Sequence, residues 1–174
     1  MRKKIIALFI CTCFFSFLSV KLKEKKVLKD KLSVLLPETF RLMNTQEIKS
    51  KYPNGNPPTE VYTSNDLSVN IGFNYTSNQL KSEQVVQAFP EVLKQFELLY
   101  PSAKWYRKGV SKINGKDFIF LELIIPSIGS NYYNFMSFTS VNDRLLISSF
   151  NCPVSKQFEW QLTAYNIMKS IIVL

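Results

Sequence analysis

The runs WYRKGVSKINGKDFIFLELII, residues 105–125, and YYNFMSFTSVNDRLLISSF, residues 132–150, decide the fold. Trp105 to Ile113 is strand-like, and the Asn114-Gly115 pair after it is the strongest short hairpin signal. Phe118 to Ile125 is apolar on both faces apart from Glu122, which suits a strand covered on each side. Tyr132 to Val141 pairs next, and Asn142-Asp143 supplies a second tight turn into Leu145 to Phe150. The expectation is a four-strand antiparallel meander.

Outward from the meander, the pattern changes period. Val85, Val86, Phe89, Leu93, Phe96 and Leu99 recur at spacings of three and four, so residues 82–99 read as an amphipathic helix capped by Ser82. Pro90 predicts a kink or a restart near Phe89. Upstream, Leu67, Val69, Ile71 and Phe73 alternate, forming a hairpin with Glu60 to Thr63. Leu32 to Leu36 reads as a short strand stopped by Pro37. Downstream, a closing helix opens near Ser155. Phe158, Leu162, Tyr165 and Ile172 form one apolar stripe and Trp160, Ala164, Ile167 and Ile171 a neighbouring one, so nearly the whole helix is expected to be covered. Strands, helix, meander, helix predicts an α+β class, with helices on the faces of one antiparallel sheet. Residues 32–174 form a single domain.

Composition narrows the function. The 174 residues contain no histidine, which removes the commonest general base and zinc ligand, and only 5 glycines, which argues against a Gly-rich phosphate cradle. No cofactor or metal is expected. The formal charge of +9 sits largely at the start of the chain: Arg2, Lys3 and Lys4, then six lysines against Glu24 and Asp30 between positions 21 and 31. Residues 32–174 are nearly neutral, which speaks against nucleic acid as a partner.

Arg2-Lys3-Lys4 followed by the uncharged run from Ile5 to Val20 reads as a signal peptide over residues 1–20. The cleavage site is poorly written, with Ser16 and Ser19 as the only small residues near the end, so a retained membrane tether through residues 5–20 is the alternative. Cys11 and Cys13 lack the small-residue box of a lipidation site. Residues 21–31 read as a basic, solvated linker. After cleavage Cys152 is left alone, unable to form an internal disulfide or a cysteine metal site. Without a histidine to shuttle its proton it reads as a buried apolar residue rather than a nucleophile.

The segment Leu32-Ser33-Val34-Leu35-Leu36-Pro37-Glu38-Thr39-Phe40 resembles the strand-then-Pro-x-x-Phe opening of the PsbP-like and DcrB-like proteins. The resemblance extends through Val110 to Phe120, the segment Leu145 to Pro153, and the closing helix with Trp160 and Ile167-Met168-Lys169-Ser170-Ile171. It implies an α/β/α sandwich, a fold shared with a nuclear import factor that binds the GTPase Ran. The tasks in that family diverge, and non-catalytic macromolecular binding is their common element.

Candidate contact residues are the aromatics and the cation at the starts of two meander strands: Trp105, Arg107, Tyr132 and Tyr133. Tyr, Trp and Arg dominate binding hot spots, although alternation must send about half of each run into the core. Glu122 reads as a carboxylate that reaches a lysine or arginine across the strands, or sits at an edge facing water, rather than a general acid. The resulting expectation is an exported, monomeric, non-catalytic module of the cell envelope that binds a protein. The alternative is a carrier of a small apolar ligand or lipid between helix and sheet.

Overall fold

A computed structural model describes residues 20–53, 55–127 and 129–174. The signal-or-anchor expectation, with Cys11 and Cys13, lies on residues outside those described, apart from Val20. In chain order the elements are β1 (Leu22–Val27), β2 (Leu32–Pro37), β3 (Arg41–Leu42), α1 (Thr45–Lys51), β4 (Glu60–Thr63) and β5 (Asn70–Gln79). A 3₁₀ turn, Ser82–Gln84, leads into α2 (Val85–Leu99), followed by β6 (Lys104–Ile113), β7 (Lys116–Ile125), β8 (Tyr132–Val141) and β9 (Arg144–Pro153). The chain closes with α3 (Gln157–Lys169) and β10 (Ile172–Val173).

The meander forms as its turns dictate. Asn114-Gly115 and Asn142-Asp143 all have positive φ, the left-handed pairs that two-residue hairpins require. A seven-stranded antiparallel sheet runs β3-β4-β5-β9-β8-β7-β6, and a three-stranded one runs β1-β2-β10. The architecture is a single α+β domain.

Alternation along β7 sorts the core into two layers. Ile119, Leu121 and Leu123 point to one face, where with Phe138 they meet Phe89, Val92, Leu93 and Phe96 of α2. Phe118 points to the other, where Tyr133, Phe135, Leu146 and Phe150 pack against Trp160, Ala164, Ile167 and Met168 of α3 and Leu32, Val34 and Leu36 of β2. On this second face α3 lies over β8 and β9 and against β2.

Three expectations require correction. Residues 21–31 are not a linker: Leu22–Val27 pairs with β2 at six consecutive positions, and Val27 and Leu28 are buried. The return is made by Leu28, Lys29 and Asp30, all with positive φ. The lysines that suggest a solvated tether instead decorate an edge strand, where charge prevents further pairing. Of the kink or restart expected near Phe89 the restart does not occur: α2 is one helix through Pro90, and Val86, whose carbonyl loses its partner there, is exposed. Helix α3 is covered on one side only: Phe158 is 82% and Leu162 70% exposed, whereas Trp160 is 8% and Ala164 and Ile167 are sealed. Among the described residues no helix is long and apolar enough to cross a membrane.

Trp160 lies 5.4 Å from the Phe40 ring and 6.2 Å from Phe150, joining the connection after β2, the large sheet and α3. Trp160→Ala is expected to lower the unfolding free energy by about 3–5 kcal/mol, from lost transfer energy and the cavity left behind. Leu162→Ala, two residues away on the outer face, is expected to change it by no more than about 0.5 kcal/mol. Urea denaturation of both variants checks the assignment of the helix faces.

Candidate functional site

The register of β6 and β7 sets up the site. Trp105 lies opposite Leu123 but Arg107 opposite Glu122, so Tyr106 is the extra residue of a β-bulge. Trp105 packs toward α2, and the bulge turns Arg107 to the α3 face beside Glu122. Tyr106 touches the same face, its ring 6.4 Å from Tyr133 and its hydroxyl 3.4 Å from Gln157 Oε1.

Glu122 is completely buried, and donors from three other elements converge on it. Arg107 Nε of β6 donates to Oε2 at 2.5 Å. The Tyr133 hydroxyl of β8 donates to Oε1 at 2.8 Å, and Gln161 Nε2 of α3 donates to the same oxygen at 2.7 Å. Burial, then the hydrogen bond to Glu122, pushes the Tyr133 phenol far above its ordinary pKa, so it stays neutral and keeps donating. The bond to Glu122 holds the Arg107 guanidinium above its ordinary value. A carboxylate sealed and saturated in this way acts as a tie between strands and helix.

Next to this tie the sheet is left uncovered. Arg107, Ser111 and Ile113 of β6, Phe120 of β7, Phe135 and Ser137 of β8, and Tyr165, Met168 and Lys169 of α3 surround a recess of about 150 Å³. Its floor is aromatic: Phe120 and Phe135 meet edge to face at 6.5 Å, and Phe135 stacks on Tyr165 at 6.3 Å. Two cations flank it and face the same ring. Arg107 Cζ lies 5.3 Å from the Tyr165 centroid. Lys169 Nζ lies 4.9 Å from it. Gly109 lies between Arg107 and Ser111 in β6, and a Cβ there would come within 3.2 Å of the Phe120 ring. Ser137 is 2% exposed, and among the described residues its hydroxyl donates to the Met168 thioether, at 3.5 Å.

The four sequence candidates separate. Arg107 and Tyr133 meet at Glu122, whereas Trp105 and Tyr132 face the α2 side, Tyr132 by alternation with Met136. Tyr133 is not an exposed contact: it is sealed, and its removal would strike the core. Glu122 has the cross-strand arginine expected of it. Gln161, Ser137, Tyr165 and Lys169 were not among the site candidates of the sequence, because which helical turn faces which strand is decided by packing. Cys152 is buried, and burial pushes its thiol up to about 12, leaving it protonated at neutral pH.

With this geometry, the chain resembles several solved structures. The cyanobacterial PsbP (CyanoP) from Synechocystis sp. PCC 6803 superposes with a TM-score of 0.61 at 12% identity, over 89% of this chain and 94% of that one. The chain has the PsbP-like fold. LpqN, described as involved in cell envelope biogenesis of Mycobacterium tuberculosis, matches at TM-score 0.54 and 12% identity, over 87% of this chain and 91% of its own. PA94 from Pseudomonas aeruginosa, a protein of unknown function, matches at TM-score 0.51 and 11% identity, over 88% of this chain and 97% of its own. No family model matches the sequence, and a search of curated proteins finds no match.

Arg107→Ala should leave the buried Glu122 charge without its ion-pair partner. The expected cost is about 2–3 kcal/mol, less than for a sealed pair because half of the Arg107 side chain is in water. The double variant Arg107→Ala/Glu122→Gln, which removes the charge but keeps an amide oxygen to accept from Tyr133 and Gln161, should recover part of that loss, measured in a denaturant series. For Cys152, iodoacetamide at pH 8 followed by peptide mass spectrometry should show negligible modification in the native chain and full modification in denaturant.

Proposed function

We propose that this chain is an exported, non-catalytic binding module of the cell envelope that engages a protein partner through the face where β6 and β7 extend past α3. One observation carries the reading. The buried carboxylate is spent on holding the structure, while beside it an aromatic-floored recess flanked by two cations opens to solvent. Aromatic surface with adjacent arginine is the composition of a binding hot spot rather than of a reaction centre. The envelope setting draws support from the described role of LpqN and from the basic-then-apolar start of the sequence.

The recess also bears on the alternative of a ligand carrier. It lies between helix and sheet, but about 150 Å³ is the space a single benzene ring occupies, not a lipid chain. Pockets for larger ligands start at about 300 Å³. The broader hollows beside α1, β10 and Lys29 are more open clefts.

In-cell photocrosslinking tests the reading, with a photoreactive side chain in place of Ser111 or, as the control, of Leu98 on the outer side of α2. A discrete protein adduct from position 111 but not 98, with the chain in the envelope fraction, is expected. Retention of the full chain in the cytosol, or equal adducts from both positions, would contradict it.

A further inference from the structure

The chemistry of the recess goes beyond a generic contact face. We infer that it is a binding site for an aromatic ring bearing a carboxylate, an inference that rests on reading this face as a binding surface. The volume fits one six-membered ring, and Phe120, Phe135 and Tyr165 offer ring faces and edges for it to pack on.

The anionic part follows from the charges. Arg107 bonds Glu122 through its Nε, and its half-exposed guanidinium lines the recess beside the Phe135 and Tyr165 rings. Among the described residues, Lys169 Nζ makes no ion pair with a carboxylate. Arg107 and Lys169 both line the recess and both lie beside the Tyr165 ring, so an anion held in the recess has two positive groups in its walls. Two other cations of β6 are engaged by carboxylates, Lys108 by Glu97 and Lys112 by Asp117, and Lys104 lies over the Tyr106 ring.

Ser137 is a second, independent sign of a built site. Its hydroxyl is buried at the wall of the recess with, among the described residues, a thioether as its acceptor, a weak partner for a buried donor. Gly109 completes the cavity: a side chain there would press against Phe120 between the Arg107 and Ser111 walls. Two sources carry this chemistry, a free aryl carboxylate and the C-terminal aromatic residue of a peptide.

Calorimetric titration of the full chain with four probes separates them: 3-phenylpropionate, 3-phenylpropionamide, the peptide Gly-Gly-Phe and its C-terminal amide. Both acids should bind, each about tenfold tighter than its amide, the factor expected for a charge-assisted contact. Binding of 3-phenylpropionate alone assigns the site to free acids; binding of Gly-Gly-Phe assigns it to peptide C-termini. Ser111→Trp, which fills the recess from its exposed rim, should abolish binding. Lys169→Gln should weaken the acids about tenfold and leave the amides unchanged, with the thermal midpoint of both variants near that of the parent. Amides that bind as well as acids, or no binding by any probe, would overturn the inference. A position-111 crosslink without probe binding would remove the aryl carboxylate but leave the binding face standing; loss of both would remove both.

Discussion

The width of the large sheet governs the rest of the structure. Seven strands at about 4.8 Å spacing span about 29 Å, whereas a helix with its side chains is about 10 Å across. One helix per face cannot cover such a sheet. On one face α2 lies over β6, β7 and β8. On the other, α3 takes β8 and β9, and the small sheet of β1, β2 and β10 supplies β2 beside it. The cover thins over β6 and the outer side of β7, and there the polar tie and the recess lie side by side.

This arrangement accounts for a carboxylate sealed inside an apolar strand. Glu122 faces α3 at the margin of its cover, where a leucine in its place would pack against Gln161 and the Tyr133 hydroxyl, and leave both without an acceptor. Burying the charge is costly, and the cost is offset only because donors from β6, β8 and α3 all reach it. The bulge at Tyr106 is part of the same solution, since without it Tyr106 rather than Arg107 would stand opposite Glu122. The tie fixes α3 over the sheet at one point, and that position makes Tyr165, Met168 and Lys169 a wall of the recess.

Where local chemistry decides, the sequence was legible. Asn114-Gly115 and Asn142-Asp143 can hardly be anything but tight turns, and period two from Val69 to Phe73 and the doubly apolar run Phe118 to Ile125 yield strands; Leu67, expected on the same stripe, instead lies exposed in the turn before β5 with positive φ. Where a residue's fate depends on what other elements cover, it was not. The lysines of residues 21–31 look solvated because they are, but strand β1 is made by backbone pairing to β2, which composition does not reveal. Phe158 and Leu162 are as apolar as Trp160, and no pattern within α3 says that one side alone meets the sheet. Tyr132 and Tyr133 differ only in parity; the parity of Phe135 would have placed Tyr133 inwards. The cation of the site was legible at Arg107, but the cavity was not, because its walls come from β6, β7, β8 and α3 together.

The proposed binding role rests on economy of cover: the surface that the fold leaves open is where aromatic rings and two cations are already arranged. The most direct test of that account is native-state thiol accessibility in the full chain, with Ser111→Cys and Ser137→Cys compared by alkylation rate. The account predicts that the thiol at position 111 reacts at about the rate found in the denatured chain, while the thiol at position 137, behind Phe135 and Met168, is slowed at least about a hundredfold. Protection at position 111 equal to that at 137 would mean that something covers β6 and β7 after all, and would contradict the central claim.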